Sequence, residues 1–362
     1  MADPSPADRI RIVLLYGGQS AEHDVSRVSA AHVLRAIDPA RYEVDPVAIT
    51  PDGRWLRSDA TLAALASGPD ALPEVLDASG TALEPVAALA PVREGQEVVV
   101  LPILHGPRGE DGTVQGLLEL AGVAYAGTGV LGSALNMDKI ASKVTAGAAG
   151  LPMCRWRGVR DVEVDDALIA AIGDELGWPV FVKPANMGSS VGVSRAGDAA
   201  ELRAAFDEAF AFDEFAVVEE AVEARELEVG VLGNAHPRAS VVGEICPTHE
   251  FYDYEDKYTD GAAEMVIPAE VPEAVSAELR ELAVRAYRAL RCDGLARVDF
   301  FYEEGGRGLL FNEINTLPGF TPYSMFPSLW AATELAYPDL IDELVRLALE
   351  RHAHRAPHRR LR

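Results

Sequence analysis

The stretch from Arg297 to Gly319, RVDFFYEEGGRGLLFNEINTLPG, has two strand-like runs joined by a glycine-rich turn, with polar residues at fixed places among apolar ones. If the turn centres on Gly306, Asp299 lies opposite Glu313 and Arg297 lies opposite Asn315. Alternation by two then puts all four side chains on one sheet face. Two carboxylates and an amide are hard oxygen donors, the set that Mg²⁺ prefers when it shares its shell with substrate phosphates. Arg297 beside them can pair with a carboxylate or a phosphate. The plain alternative is a hairpin whose polar face is solvated.

A second group lies upstream. Lys183 ends an apolar run and is followed by Gly188-Ser189-Ser190-Val191-Gly192. An ammonium, backbone N–H groups and hydroxyls in that arrangement can clamp phosphates. The pattern is not G-x-x-x-x-G-K-[ST], so it is not a Walker loop. Lys139, in ALNMDKIASK, is a further candidate cation, or else a lysine whose stem lies along an apolar surface. The segment from Thr248 to Gly261 holds four aromatics and Lys257 and is too long for a simple turn. It suits a lid over a site, although its tyrosines could also pack on a sheet below.

These residues need elements to position them. Ile10 to Tyr16 reads as a buried strand ending at Gly17-Gly18, after which Ser20 is expected to cap a helix with Glu22 in its first turn and Val25, Val28, Val33 and Leu34 inward. A second strand, Glu97 to Leu104, ends at His105-Gly106, and a short helix runs from Gly112-Thr113 to Gly122. Strands alternating with helices predict an open α/β domain whose site lies at the carboxyl ends of its strands, the edge that carries Glu22 and His105. The segment Ser58 to Gly95 has weak periodicity and reads as peripheral helices and loops. Beyond Ser133 the pattern becomes α+β. Ser133 to Gly150 reads as helical, and Leu168, Ile169, Ile172 and Leu176 mark a helix closed by Gly177. Strands follow over Trp178–Lys183 and Glu214–Glu219, with a helix on Leu202, Phe206 and Phe210 between them. Further strands near Leu227–Leu232 and Ala239–Ile245 precede a helix with Leu279, Leu282, Ala286, Tyr287 and Leu290 inward, and then the hairpin.

The chain has 362 residues and a net charge of −25. That length predicts two or three domains, and the charge argues against nucleic acid or an anionic membrane as a partner. Any anionic ligand must be met by a local gathering of cations. Cys154, Cys246 and Cys292 are isolated and odd in number, which fits inert thiols in a reducing, cytoplasmic setting rather than disulfides or a thiol–metal site. The N-terminus, MADPSPADRI, is unlike a signal peptide, and no apolar run approaches membrane-spanning length. The basic tail from Arg351 to Arg362 reads as a frayed terminus.

Taken together, GGQSAEHDVS (17–26), LHGPRGEDGTVQG (104–116), MDKIASK (137–143), KPANMGSSVGV (183–193), VVEEAVEARELEV (217–229), EFYDYEDKY (250–258), RVDF (297–300) and NEINTLPGFTPYSMFP (312–327) resemble the D-alanine–D-alanine ligase family. The resemblance spans Gly17 to about Leu349. It implies a three-domain ATP-grasp architecture of α/β plus α+β character with an N-terminal open parallel sheet. The domains would be 1–127, 128–219 with Lys139, Lys183 and the Ser189 loop, and 220–350 with the lid and hairpin, followed by the tail 351–362.

The implied reaction is ATP-dependent joining of two D-alanines through a D-alanyl phosphate, with ADP and phosphate released. ATP is then a substrate, and two Mg²⁺ (or Mn²⁺) ions accompany it on Asp299, Glu313 and Asn315. The resemblance assigns Lys139, Lys183 and Lys257 to the phosphates. Glu219, Glu220 and Val222 correspond to the adenine segment, Glu226 to the ribose contact, and Asn312 to a further ATP contact. Glu22 would bind the ammonium of the first D-alanine, and Ser189 and Tyr258 would link Glu22 to the lid. Arg297 and the backbone of Gly319 would stabilise the reacting centre, Ser324 would hold the second carboxylate, and His105 would lie near the second substrate. A tyrosine after the lid lysine favours D-alanine as second substrate over D-lactate or D-serine. A non-catalytic nucleotide binder should have lost part of the set Arg297, Asp299, Glu313, Asn315 and Lys183, all of which are present. A homodimer is expected from the family.

Overall fold

Between Ile12 and Tyr16 every residue is apolar, as a strand buried on both faces requires. In the computed structural model, which describes residues 9–246 and 264–359, this segment is central to the first of three sheets. The sheet comprises β1 (Ile10–Gly17), β2 (Tyr42–Ile49), β3 (Trp55–Arg57), β4 (Thr81–Ala82), β5 (Val98–Leu104) and β6 (Ala124–Tyr125), ordered β4-β3-β2-β1-β5-β6. β1 runs parallel to β2 and β5, and β5 parallel to β6, while β3 and β4 add an antiparallel edge. The parallel sheet expected of the N-terminal part is therefore present with a short mixed extension.

Gly17 and Leu104 are register partners, so the chain leaves β1 and β5 side by side. This is the switch point of an open α/β sheet, where ligands bind. Gly17 has φ +87°, and a β-carbon there would lie 2.3 Å from the carbonyl oxygen of Ile49, so only glycine permits the exit. Helix α1 (His23–Ala36) follows. Ser20 does not cap it; Glu22 occupies the cap position, and the Ser20 hydroxyl accepts from Glu22 N and donates to His105 O at 2.7 Å. The helix also presents a smaller inward face than expected. Ser26, Ser29, Ala30, Val33 and Leu34 are buried, whereas Val25 and Val28 are only partly so. Small residues let the helix approach the sheet closely, and Ser26 joins the two strand ends by accepting from Gly17 N at 2.7 Å and donating to Ile103 O.

Helices α2 (Asp59–Ser67) and α3 (Pro85–Leu89) lie in the peripheral segment, and α4 (Thr113–Ala121) is closed by left-handed Gly122 as its sequence indicates. The expected single helix over Ser133–Gly150 is two, α5 (Val130–Met137) and α6 (Lys139–Ala148). Asp138 breaks them because its carboxylate accepts from Ile140 N and Ala141 N, which satisfies the free donors of a new helix start.

The second sheet is ordered β7-β10-β8-β9, from β7 (Trp156–Arg160), β8 (Val180–Pro184), β9 (Ser194–Ala196) and β10 (Phe215–Glu220). Helices α7 (Asp166–Leu176) and α8 (Ala199–Ala209) cover one face, packing Ile169, Ile172, Leu176, Leu202 and Phe206 on Val180, Val182, Ala216 and Val218. The third sheet is ordered β13-β12-β11-β14-β15, from β11 (Arg225–Gly233), β12 (Arg238–Cys246), β13 (Glu264–Val266), β14 (Gly294–Glu303) and β15 (Gly308–Asn315). Helix α9 (Glu273–Ala289) lays Leu279, Leu282, Ala283, Ala286 and Tyr287 against its apolar face. Alternation therefore turns the polar residues of both sheets away from their helices.

Helix α10 (Met325–Ala331) and the long α11 (Tyr337–Arg355) complete the chain, the latter continued by a 3₁₀ turn to Arg359. This corrects the reading of the tail as frayed from Arg351. Arg351 is buried, donates to Gly127 O and to Tyr125 O at 2.9 Å, and lies 4.2 Å from the centre of the Tyr125 ring. Arg355 pairs with Glu119 at 3.1 Å and Asp293 at 2.9 Å. The helix end thus joins the first sheet to the third. Of the cysteines, Cys154 and Cys292 are buried, Cys246 is half-buried, and all three are unpaired. Among the described residues no helix is long and apolar enough to cross a membrane.

Replacing Arg351 with Leu strands two buried carbonyls, so the variant should lose about 3 kcal/mol of stability. Urea denaturation with linear extrapolation checks this, and an unchanged midpoint would show that the helix end is held by other contacts.

Candidate active site

Hairpin β14–β15 carries the proposed oxygen donors. Asp299 pairs with Glu313 and Arg297 with Asn315, the register expected from the sequence. The route to that register differs. Near the turn Glu303 pairs with Gly308 and Phe300 with Phe311, and the ladder shifts between Phe300 and Asp299. The turn is thus centred between Gly305 and Gly306, and an irregularity at Asn312 adds the residue that brings Glu313 opposite Asp299. Bulges of this kind re-aim side chains beside functional sites.

Arg297 grips Asp299 in a bidentate pair, 2.8 Å from Nε to Oδ1 and 2.8 Å from Nη2 to Oδ2. Asn315 Nδ2 donates to Asp299 Oδ2 at 2.9 Å. On the neighbouring strand Glu228 faces Asp299 in register and lies 3.0 Å from Arg297 Nε. The sequence reading passed over Glu228, although Glu226 and Glu228 stand two apart on β11 and so share the polar face. Asp299, Glu313 and Asn315 remain an all-oxygen set on one face, two of them anionic. Magnesium or manganese fits that set.

The opposite wall comes from the second sheet. On β8, Phe181 and Lys183 alternate away from the helix-facing Val180 and Val182. Lys183 Nζ lies 2.7 Å from Glu219 Oε2. The other oxygen of Glu219 is 2.5 Å from Lys143 Nζ. Lys143 is buried on α6 and was not singled out from sequence, though it stands four residues after Lys139 and therefore on the same helix face. Burial alone would push the Glu219 carboxyl up, but the two lysines outweigh it and hold it at about 2. Burial likewise opposes the charge of Lys183, and the carboxylates of Glu219 and Glu313 more than offset it, raising its pKa. Lys139 Nζ donates to Met187 O at 2.6 Å and lies 3.7 Å from Glu313 Oε2. Glu220 points elsewhere, accepting from Arg155 Nε at 2.7 Å and pairing with Arg307 at 2.5 Å.

Between the two sheets is a cleft of about 480 Å³. Lys139, Lys183, Ser189, Glu219, Glu220, Val222, Glu226, Arg297, Asp299, Asn312 and Glu313 all line it. Of the other described positions, Glu22, His105, Asn315, Gly319 and Ser324 are not among its lining residues. Glu22 Oε1 accepts from Ser189 Oγ at 2.5 Å, which ties the first sheet to the Gly/Ser loop. Ser189 and Ser190 have φ of 51° and 58°. Non-glycine residues held at positive φ carry backbone strain, and they recur at functional loops.

His105 is buried, and its Nδ1 lies 3.0 Å from Leu317 O. That contact fixes Nδ1 as donor and leaves Nε2, which has no partner among the described residues, as acceptor in the neutral ring. Ser324 Oγ accepts from Thr321 N at 3.1 Å, and a β-carbon on Gly319 would lie 3.1 Å from that hydroxyl. The Gly319 backbone and the Ser324 hydroxyl are therefore neighbours. Lys257 and Tyr258, with the rest of the lid segment, lie outside the described residues.

The sequence reading also missed Glu110, within the GEDG of segment 104–116. It accepts from Gly106 N at 2.9 Å and lies 3.9 Å from His105 Nδ1. Burial and the nearby Glu22 carboxylate push its pKa up to about 8.

A lysine wall facing an oxygen-donor hairpin across a two-sheet cleft, with an open α/β domain closing one end, defines the ATP-grasp class. Family models of the D-ala D-ala ligase N-terminus and C-terminus match residues 11–128 and 146–346. The chain belongs to the D-alanine–D-alanine ligase family. It is 49% identical over 344 residues to a D-alanine–D-alanine ligase of Deinococcus radiodurans, covering 94% of this chain and 98% of that one. Among solved structures, the D-alanine–D-alanine ligase of Coxiella burnetii superposes with a TM-score of 0.82 at 33% identity, covering 97% of each chain. The VanG D-Ala:D-Ser ligase of Enterococcus faecalis gives 0.80 at 32% identity, covering 94% of this chain and 99% of that one.

Glu110 supplies a pH signature. An acid whose folded pKa is raised keeps its proton while the unfolded chain has lost it. Stability should therefore fall as pH rises from about 4.5 to about 8 and level off above. Glu110→Gln should flatten that slope in denaturation curves taken across the range. An equal slope in the variant would assign the dependence to another group.

Proposed function

We propose that the protein joins two D-alanines to D-alanyl-D-alanine at the expense of ATP, releasing ADP and phosphate and supplying the dipeptide for peptidoglycan precursors. One observation carries the reading. The cleft sets Lys139 and Lys183 against Asp299 and Glu313, while Glu22, hydrogen-bonded to Ser189, stands at its end. A carboxylate, an ammonium and a triphosphate need those three kinds of group side by side.

In this reading ATP lies between the second and third sheets. The side chains of Glu219 and Glu220 are committed to Lys143, Lys183, Arg155 and Arg307. Adenine contact by 219–222 therefore falls to the main chain and to Val222, with Glu226 at the ribose. Lys139, Lys183, Asn312 and Lys257 of the lid segment hold the phosphates. Asp299, Glu313 and Asn315 would hold Mg²⁺ or Mn²⁺, which when bound neutralises and aligns phosphate oxygens.

Glu22 binds the ammonium of the first D-alanine and so presents its carboxylate to the terminal phosphorus. Ser189 and Tyr258 position Glu22 and the lid. The acyl phosphate formed is attacked by the amine of the second D-alanine, whose carboxylate rests on Ser324. Arg297 and the Gly319 N–H stabilise the oxyanion that develops, an electrostatic task worth several kcal/mol in such sites. His105, with Nε2 as acceptor, stands near the second amine. The division 1–127, 128–219 and 220–350, a cytoplasmic location and a homodimeric state belong to the same proposal.

Phosphate release with ATP, Mg²⁺ and D-alanine alone, with product mass, tests the reading. Dipeptide formation from D-alanine alone is expected. Turnover only after adding D-serine would move the protein to the reaction named for its VanG neighbour, and turnover only after adding D-lactate would make it a D-alanine–D-lactate ligase. Asp299→Ala should abolish turnover with the fold intact by circular dichroism, and retained activity in magnesium would sink the metal assignment.

A further inference from the structure

Glu219 is an awkward residue for a phosphate-binding wall. Its carboxylate is ionised and buried, and it sits 2.7 Å from Lys183. Those two alone would make a neutral pair with nothing left for an anionic ligand. Lys143 changes the balance. Its Nζ holds the other oxygen of Glu219 at 2.5 Å and donates to Asn312 O at 3.3 Å, and its side chain is only 3% exposed. It does not line the cleft, which Lys183 does, although both lysines line a small pocket that shares Glu219, Asn312 and Glu313 with it. The three residues together carry one net positive charge, and the only member of the two lysines that can present it is Lys183.

Burying a third charge is costly where a single ion pair would satisfy the fold, so the arrangement calls for a purpose beyond packing. We infer that Lys143 is a positioning residue of the phosphate wall, cancelling Glu219 so that Lys183 offers a full positive charge to a nucleotide phosphate. The inference rests on the reading of the cleft as a nucleotide site. It requires no contact between Lys143 and the ligand.

ADP binding by calorimetry, in Mg²⁺, compares the wild type with Lys143→Met and with the double variant Lys143→Met/Glu219→Gln. The single variant should bind ADP about tenfold more weakly or worse, with KM for ATP rising more than kcat falls. The double variant restores the charge balance and should recover most of the affinity. A double variant as weak as the single one, or a single variant that binds like wild type, overturns the inference.

Should thermal melting show Lys143→Met unfolded, Lys143→Arg, which keeps the charge, is compared with Lys143→Gln, which removes it but keeps a polar group of similar reach. The arginine variant should bind ADP within a few-fold of wild type and the glutamine variant about tenfold more weakly, and equal affinities in the two would overturn the proposal. Dipeptide synthesis by the wild type is scored separately. Tight ADP binding without ligation removes the substrate assignment and leaves Lys143 in place, whereas no ADP binding by the wild type removes both.

Discussion

A charged group taken out of water must be given a partner, because an unpaired buried charge costs several kcal/mol. That constraint organises the whole cleft. Each wall is a sheet with one apolar face committed to helices, so its other face carries the polar residues, each buried charge of which must find a partner. On one wall this is done by Lys143, Glu219 and Lys183. On the other it is done by Arg297 between Glu228 and Asp299. Both clusters are pre-formed, so the side chains that would meet a triphosphate are already oriented. Preorganised charge of this kind is the main means by which a site stabilises developing charge.

A chain with a net charge of −25 is otherwise poorly suited to an anionic ligand. The local cations resolve the conflict because Coulombic attraction in a sheltered cleft exceeds what distant, screened surface charge can oppose. The three sheets must also stay in register with one another. Glu22 reaches the Ser189 loop from the first sheet, and Arg351 and Arg355 tie the last helix back to Tyr125, Gly127 and Glu119. The ends of the chain thus hold the α/β domain against the other two, where its strand ends can face the cleft.

The hairpin shows how a correct reading can rest on incomplete reasons. A turn centred on Gly306 predicts the observed pairing of Asp299 with Glu313. The actual turn is half a residue away, and an irregularity at Asn312 compensates. No turn rule reports such a bulge, since it depends on how β15 meets its neighbour. Glu228 and Lys143 were legible only as members of a face, by spacing of two and of four. Glu110 was legible only as part of a motif. The two-helix break at Asp138 was available in the capping chemistry of aspartate, and the continuous apolar pattern concealed it.

The sequence by itself determined the elements that periodicity governs: the buried strands, the helices bounded by Gly122 and Gly177, and the alternation that places Arg297, Asp299, Glu313 and Asn315 together. Its motifs also carried the family. Local patterns suffice for these because side-chain direction repeats every two residues in a strand and every 3.6 in a helix. Tertiary structure alone decided which charged groups meet which distant partners, across 76 to 226 residues. Glu22 on Ser189, Lys143 on Glu219 and Arg351 on Tyr125 are such contacts. It also decided that the basic tail, as far as Arg359, continues the last helix. Those outcomes follow from which sheets pack together, and pairing energies between distant charges leave no period in the chain.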